Sequence, residues 1–182
     1  MKMKHVYLAS AFAAAVFLGA CTKNDDNNSN TNTSTVNGQD TTFLLQASQS
    51  NNAEISLGTL ALTNASSDSV RSFAQMMIQD HTAAQANLRS MVDSVRSTLN
   101  LSDSLSANQM ATRDSLMSLS GAAFDSAYIA SQVVSHQNTL AAFDAEIANG
   151  QNGQVKGYAT RYRPAIQSHL NMADSLMMRL QP

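Results

Sequence analysis

The chain has 182 residues and a formal net charge of −2, with 13% charged, 43% hydrophobic and 5% aromatic residues. That length fits one domain of ordinary size, and a single cysteine excludes a disulfide framework, a thiolate metal cage and a CxxC redox site within one chain. The lack of a basic cluster removes the electrostatic footprint of nucleic-acid binding. Two prolines and seven glycines among abundant alanine, leucine, methionine, serine and glutamine favour helices over strands.

Residues 1–20 carry Lys2 and Lys4 ahead of an apolar run from Val6 to Ala20, the pattern of a secretory signal peptide. The run is shorter than the about 20 apolar residues of a transmembrane helix. Its end, Leu18-Gly19-Ala20-Cys21, resembles the lipobox of bacterial lipoproteins. That resemblance implies cleavage before Cys21 and a diacylglyceryl group on its sulfur, so the membrane becomes a partner through a lipid anchor. Thr22, where some lipoproteins carry aspartate, resembles an outer-membrane sorting choice, and Lys23 with Asp25 and Asp26 resembles a surface-export signal of some Bacteroidota. The implied address is the bacterial cell envelope, on the periplasmic or surface face of the outer membrane. From Thr22 to Gln39 the chain is almost entirely Asn, Thr, Ser and Asp, which cannot bury enough apolar area to offset ordering entropy. Residues 21–40 therefore read as the lipidated cysteine and a disordered tether, and 41–182 as the folded domain.

Helical periodicity predicts a first long helix over about 41–64, with Asp40 as its N-cap and Phe43, Ala47, Leu57 and Ala61 on its apolar face. A second runs over about 68–99, with a stripe of Val70, Phe73, Met77, Ala84, Leu88, Met91, Val95 and Leu99. The serine-rich stretch Leu101–Ser120 holds a short amphipathic piece around Met110–Leu119. A third long helix spans about 122–149 and stops at Asn149-Gly150; a fourth spans about 154–180, with Pro164 expected to kink it. Two hairpins joined by a long crossover give the layout of a ferritin-like four-helix bundle, all-α, with a short extra helix in the crossover.

Beyond residue 20 the chain has three histidines, His81, His136 and His169, each on a different long helix and each at an inward-facing position. Glu54 lies on the stripe of the first helix. All four fall within about three residues of their helix midpoints, or about 4–5 Å along the axis. They are expected to meet in one interior layer, where unpaired polar groups are costly. The functional reading is a site of three histidines and a carboxylate for one transition metal ion, zinc, iron or copper. Asp80, Asp125, Tyr128 and Gln132 are candidates to orient the imidazoles. The competing reading is a metal-free, hydrogen-bonded polar layer in a structural or protein-interaction module.

A dinuclear iron site does not fit. Such sites use Glu-x-x-His pairs, whereas Ile78, Val133 and Ile166 precede the three histidines by three, and Glu54 and Glu146 are the only glutamates. The ten methionines fit irregular core packing better than copper ligation. No G-x-S-x-G, HExxH, phosphate loop or dinucleotide fingerprint occurs, so no catalytic residue is assigned and the balance is against an enzyme.

The blocks Ala53-Glu54-Ile55-Ser56-Leu57-Gly58-Thr59-Leu60-Ala61 and Val70-Arg71-Ser72-Phe73-Ala74-Gln75-Met76-Met77-Ile78-Gln79-Asp80-His81 resemble a ferritin-like bacterial family called domain of unknown function 4142. Tyr128 with His136, and Pro164 with His169-Leu170, continue the likeness over about 43–178. The resemblance implies a ferritin-like bundle in the envelope and matches Glu54, Asp80, His81, His136 and His169. It supplies no reaction.

Overall fold

A computed structural model describes residues 35–95 and 98–180. The predicted signal peptide, Cys21 and the tether as far as residue 34 lie outside the described residues. The described chain is helical without a strand: α1 (Gly38–Asn64), α2 (Asp68–Ser94), α3 (Ala107–Met117), α4 (Gly121–Asn149) and α5 (Gly153–Leu180). None of these helices is long and apolar enough to cross a membrane.

The helix starts are written in local chemistry. α1 begins earlier than periodicity suggests, because Asn37 and Asp40 form a capping box, each side chain bonding the other's backbone N–H at 2.8 Å. Asp40 is thus the third helical residue rather than the N-cap, and the last residues assigned to the tether belong to the helix. α3 starts with a second capping box, Ser106 with Gln109. α2 stops at Ser94, short of the expected boundary, and Leu99 reaches the core from the segment that follows. α5 continues through Pro164 without interruption.

α1 packs on α2 and α4 on α5, and the two hairpins meet along α1–α4 and α2–α5, with α3 lying against α1 and α4. The chain directions follow from contacts at the ends. At one end Asp40 of α1 accepts the N–H groups of Gln151 and Asn152 in the α4–α5 turn, and Ser94 of α2 meets Gln154 of α5. At the other, Asn64 of α1 bonds the carbonyl of Leu119, and Asp125 of α4 accepts from Ser66 and Ser67 in the α1–α2 turn. Hence α1 and α5 run one way and α2 and α4 the other. The crossover is stitched to α1 by Ser48 and Asn52, both bonding the carbonyl of Ser102.

Two aromatic clusters fill the interior. Phe43, Phe143 and Tyr158 pack towards the α4–α5 turn, and Phe73, Phe124 and Tyr128 towards the α1–α2 turn. Between them lies a buried polar layer that includes Asn51, Glu54, His81, Gln85, Gln132, His136 and His169. Gly58 lets α1 approach α2 closely there: a Cβ would stand 2.9 Å from Ile78 Cγ1 and 3.1 Å from the Ala74 carbonyl. Gly150 ends α4 in extended backbone, where a Cβ would fall 2.7 Å from the backbone carbonyl of Glu146.

Glu146 and Asp40 bury two carboxyls at the α4–α5 end. Burial alone would raise Asp40, but bonds from Asn37, Asn152 and Gln151 outweigh it and hold the group below the usual carboxylate range. For Glu146 the balance falls the other way: burial, and next the neighbouring Asp40, outweigh the bond to Gln39 and the charge on Lys156 and push it up to about 7. An acid raised in the folded state binds more protons folded than unfolded. Its stabilising contribution is therefore full below about 4.5 and lost as pH rises through about 7. Replacement Glu146→Gln, neutral throughout, is expected to match the parent at pH 4 and to melt about 5 °C higher at pH 8. That shift corresponds to about 1–2 kcal/mol after discounting for solvent near the bundle end. Equal melting at pH 8 in a differential scanning experiment contradicts this assignment.

Candidate metal centre

His81 of α2, His136 of α4 and His169 of α5 converge in the middle layer, each at most 3% exposed. Their ring centroids are 5.9 Å (His81–His136), 5.4 Å (His81–His169) and 5.5 Å (His136–His169) apart. One ring nitrogen from each lies within 4.8 Å of the others.

The outward nitrogen of every ring is held by an acceptor, and this fixes which nitrogen carries the proton. His136 Nδ1 is 2.9 Å from the backbone carbonyl of Gln132, which can only accept, so Nδ1 bears the hydrogen. His169 Nε2 is 2.9 Å from Asp80 Oδ2, so the carboxylate holds its hydrogen there. For His81 the assignment runs through a chain. Ser48 Oγ donates to the carbonyl of Ser102 and so accepts from Gln85 Nε2 at 2.8 Å. Gln85 therefore turns Oε1 to Asn51, whose Nδ2 donates to it at 3.1 Å. Tyr158, donating to the Ala84 carbonyl, accepts from the same Nδ2. Asn51 is left with Oδ1 facing His81 Nδ1 at 2.9 Å, and that nitrogen must donate.

The remaining nitrogens, His81 Nε2, His136 Nε2 and His169 Nδ1, are buried lone pairs with no hydrogen-bond partner. Three acceptors without a donor are what a cation-binding site requires and what a hydrogen-bonded layer avoids. Burial first, then the neighbouring imidazoles of His136 and His169, push His81 well below the usual imidazole range. Burial also lowers His169, against the opposing bond to Asp80. Both rings are thus neutral, and available as ligands, at neutral pH.

Glu54 is buried among these helices but outside the set of ligating atoms within 4.8 Å. Its Oε1 accepts from Ser135 Oγ at 2.7 Å, and its Oε2 has no partner. Asp80 orients His169. Gln132 orients His136 through its backbone, while its side-chain amide is buried and unpartnered. The Tyr128 hydroxyl is likewise unpartnered; burial, and next the charge on Glu54, raise it well above its usual range. Asp125 touches no imidazole: it bonds Ser66 and Ser67 in the α1–α2 turn. Sequence reasoning missed Asn51, Gln85 and Ser135. Asn51 was detectable, since Phe43, Ala47, Asn51, Glu54, Gly58 and Ala61 form one helical stripe.

The chain belongs to the family described as "Domain of unknown function (DUF4142)", which matches residues 26–176. No curated protein and no solved structure matches it.

Proposed function

We propose that this protein is a ferritin-like helical bundle of the bacterial envelope, lipid-anchored through Cys21, that binds one transition metal ion through His81, His136 and His169. The observation that carries the metal reading is the set of three buried imidazoles whose outward nitrogens all face acceptors, leaving three unpartnered ring nitrogens, with one nitrogen of each ring within 4.8 Å of the others. Imidazole donors suit zinc, copper or iron. Bound there, zinc would supply Lewis acidity and copper or iron one-electron chemistry. The ferritin-like description rests on the two antiparallel hairpins and the long crossover.

The test is elemental analysis of untagged protein purified without chelator. One ion per chain, reduced to background in a His81→Leu, His136→Leu double variant that still folds, is expected. No metal at any stoichiometry after incubation with zinc, copper and iron would return the bundle to a structural or interaction module. The anchor is checked separately by intact mass of the envelope-extracted protein, which should carry a diacylglyceryl group on Cys21; an unmodified thiol rules it out.

A further inference from the structure

Three histidines leave a four-coordinate metal one ligand short, and metal sites with three protein ligands hold water or substrate in the fourth position. Residues around the centre are arranged for such a guest. Glu54 Oε2, the Tyr128 hydroxyl and both amide atoms of Gln132 are buried without partners. Buried polar atoms in native folds are paired with protein, water or ligand, so four unpaired ones mark a place for a small polar molecule. Gln132 lies one helical turn from His136 on α4, and Tyr128 one turn further. The charge on Glu54 acts on both His169 and Tyr128, so its carboxylate lies near both side chains.

The same buried carboxylate is linked to a surface groove through one hydroxyl. A groove of about 870 Å³ runs between α1 and α4 beside α3, with Ser50, Ala53, Gln109, Ser131, Ser135 and Thr139 in its lining. Ser135 faces this groove and also donates to Glu54 Oε1 at 2.7 Å. This hydroxyl therefore links the groove to the buried carboxylate.

Resting on the metal reading above, we infer that the metal's remaining position takes a small exchangeable hydroxylic ligand, water or a molecule of similar size. It is admitted from the α1–α4 groove past Ser135 and donates its hydrogen to Glu54 Oε2. Glu54 thus serves the metal's guest rather than the metal. A carboxylate so placed favours ligands that bring a hydrogen and opposes ligands that bring only negative charge.

Cobalt(II) loading of the purified full-length protein, followed by azide titration in the visible range, tests this. Cobalt is expected to give the intense bands of a four-coordinate ion, and azide to shift them by displacing the guest. Glu54→Gln, which removes the opposing charge and keeps an acceptor for Ser135, is expected to bind azide about tenfold more tightly. Ser135→Leu is expected to slow azide binding with cobalt content unchanged. Cobalt bands that ignore azide in every variant overturn the open position while leaving the three-histidine centre standing. Unaltered azide affinity in Glu54→Gln removes the role given to Glu54, and an unaltered rate in Ser135→Leu removes the route. Failure to take up cobalt defeats the metal reading, and this inference with it.

Discussion

Metal-loaded parent protein is expected to melt about 8 °C above its chelated form, and His136→Leu is expected to abolish that difference while leaving the chelated form as stable as the parent or more so. The two halves of this result have separate causes. At a free metal concentration about 100 times the dissociation constant, binding to the folded state alone adds about 2.7 kcal/mol, or roughly 8 °C for a domain of this size. Removing one imidazole takes away a ligand and most of that gain. In the absence of metal, however, His136 Nε2 is a buried acceptor with no partner. Its Nδ1 bond goes to a carbonyl of its own helix, that of Gln132. Leucine, of similar volume, removes the orphaned atom and relieves about 1 kcal/mol of desolvation cost. A hydrogen-bonded layer behaves in the opposite way: leucine would destabilise the chelated protein by about 2 kcal/mol or more, and metal would leave both proteins unmoved. Thermal melting of four samples separates the cases.

The convergence of the histidines was legible because helical periodicity fixes facing and distance from the helix midpoint fixes depth. What periodicity does not carry is the direction a long side chain takes once inside. Glu54 stands at the expected depth, but one of its oxygens turns to Ser135, a hydroxyl on α4 that no spacing rule connects to α1. Asn51 escaped notice although it lies on the same stripe as Glu54, because an amide carries no charge to draw attention to an apolar row. Asp125 was misplaced for a simpler reason. It faces inward, as expected, yet stands eleven residues from His136 on α4, about 16 Å along the axis. Depth alone removes it from the imidazoles. The start of α1 depended on a capping box between residues three apart, which apolar periodicity does not register, and the end of α2 on the path of the segment that follows.

Asp125 nevertheless carries the second large effect. Asp125→Ala is expected to destabilise the protein by about 3 kcal/mol, roughly 10 °C in melting temperature, with metal content unchanged. The carboxylate is buried at 1% exposure and accepts three bonds: Ser66 N at 3.1 Å, Ser66 Oγ at 2.6 Å and Ser67 N at 3.0 Å. Ser67 precedes α2 and makes no capping bond with its own side chain, so Asp125 supplies the negative charge and acceptor that the helix start lacks. Its loss leaves two backbone N–H groups unpaired and unties α4 from the α1–α2 turn. Asp125→Asn, which keeps acceptor capacity, should recover part of the loss. A variant that melts like the parent but loses metal would instead make Asp125 a partner of the imidazoles and contradict the capping role.

The most direct measurement is anomalous diffraction from metal-soaked crystals, recorded above and below the absorption edge. One peak per chain is expected, bounded by His81 Nε2, His136 Nε2 and His169 Nδ1. Density without such a peak, with two of the imidazoles instead sharing a proton across a hydrogen bond, would contradict a metal centre in this bundle.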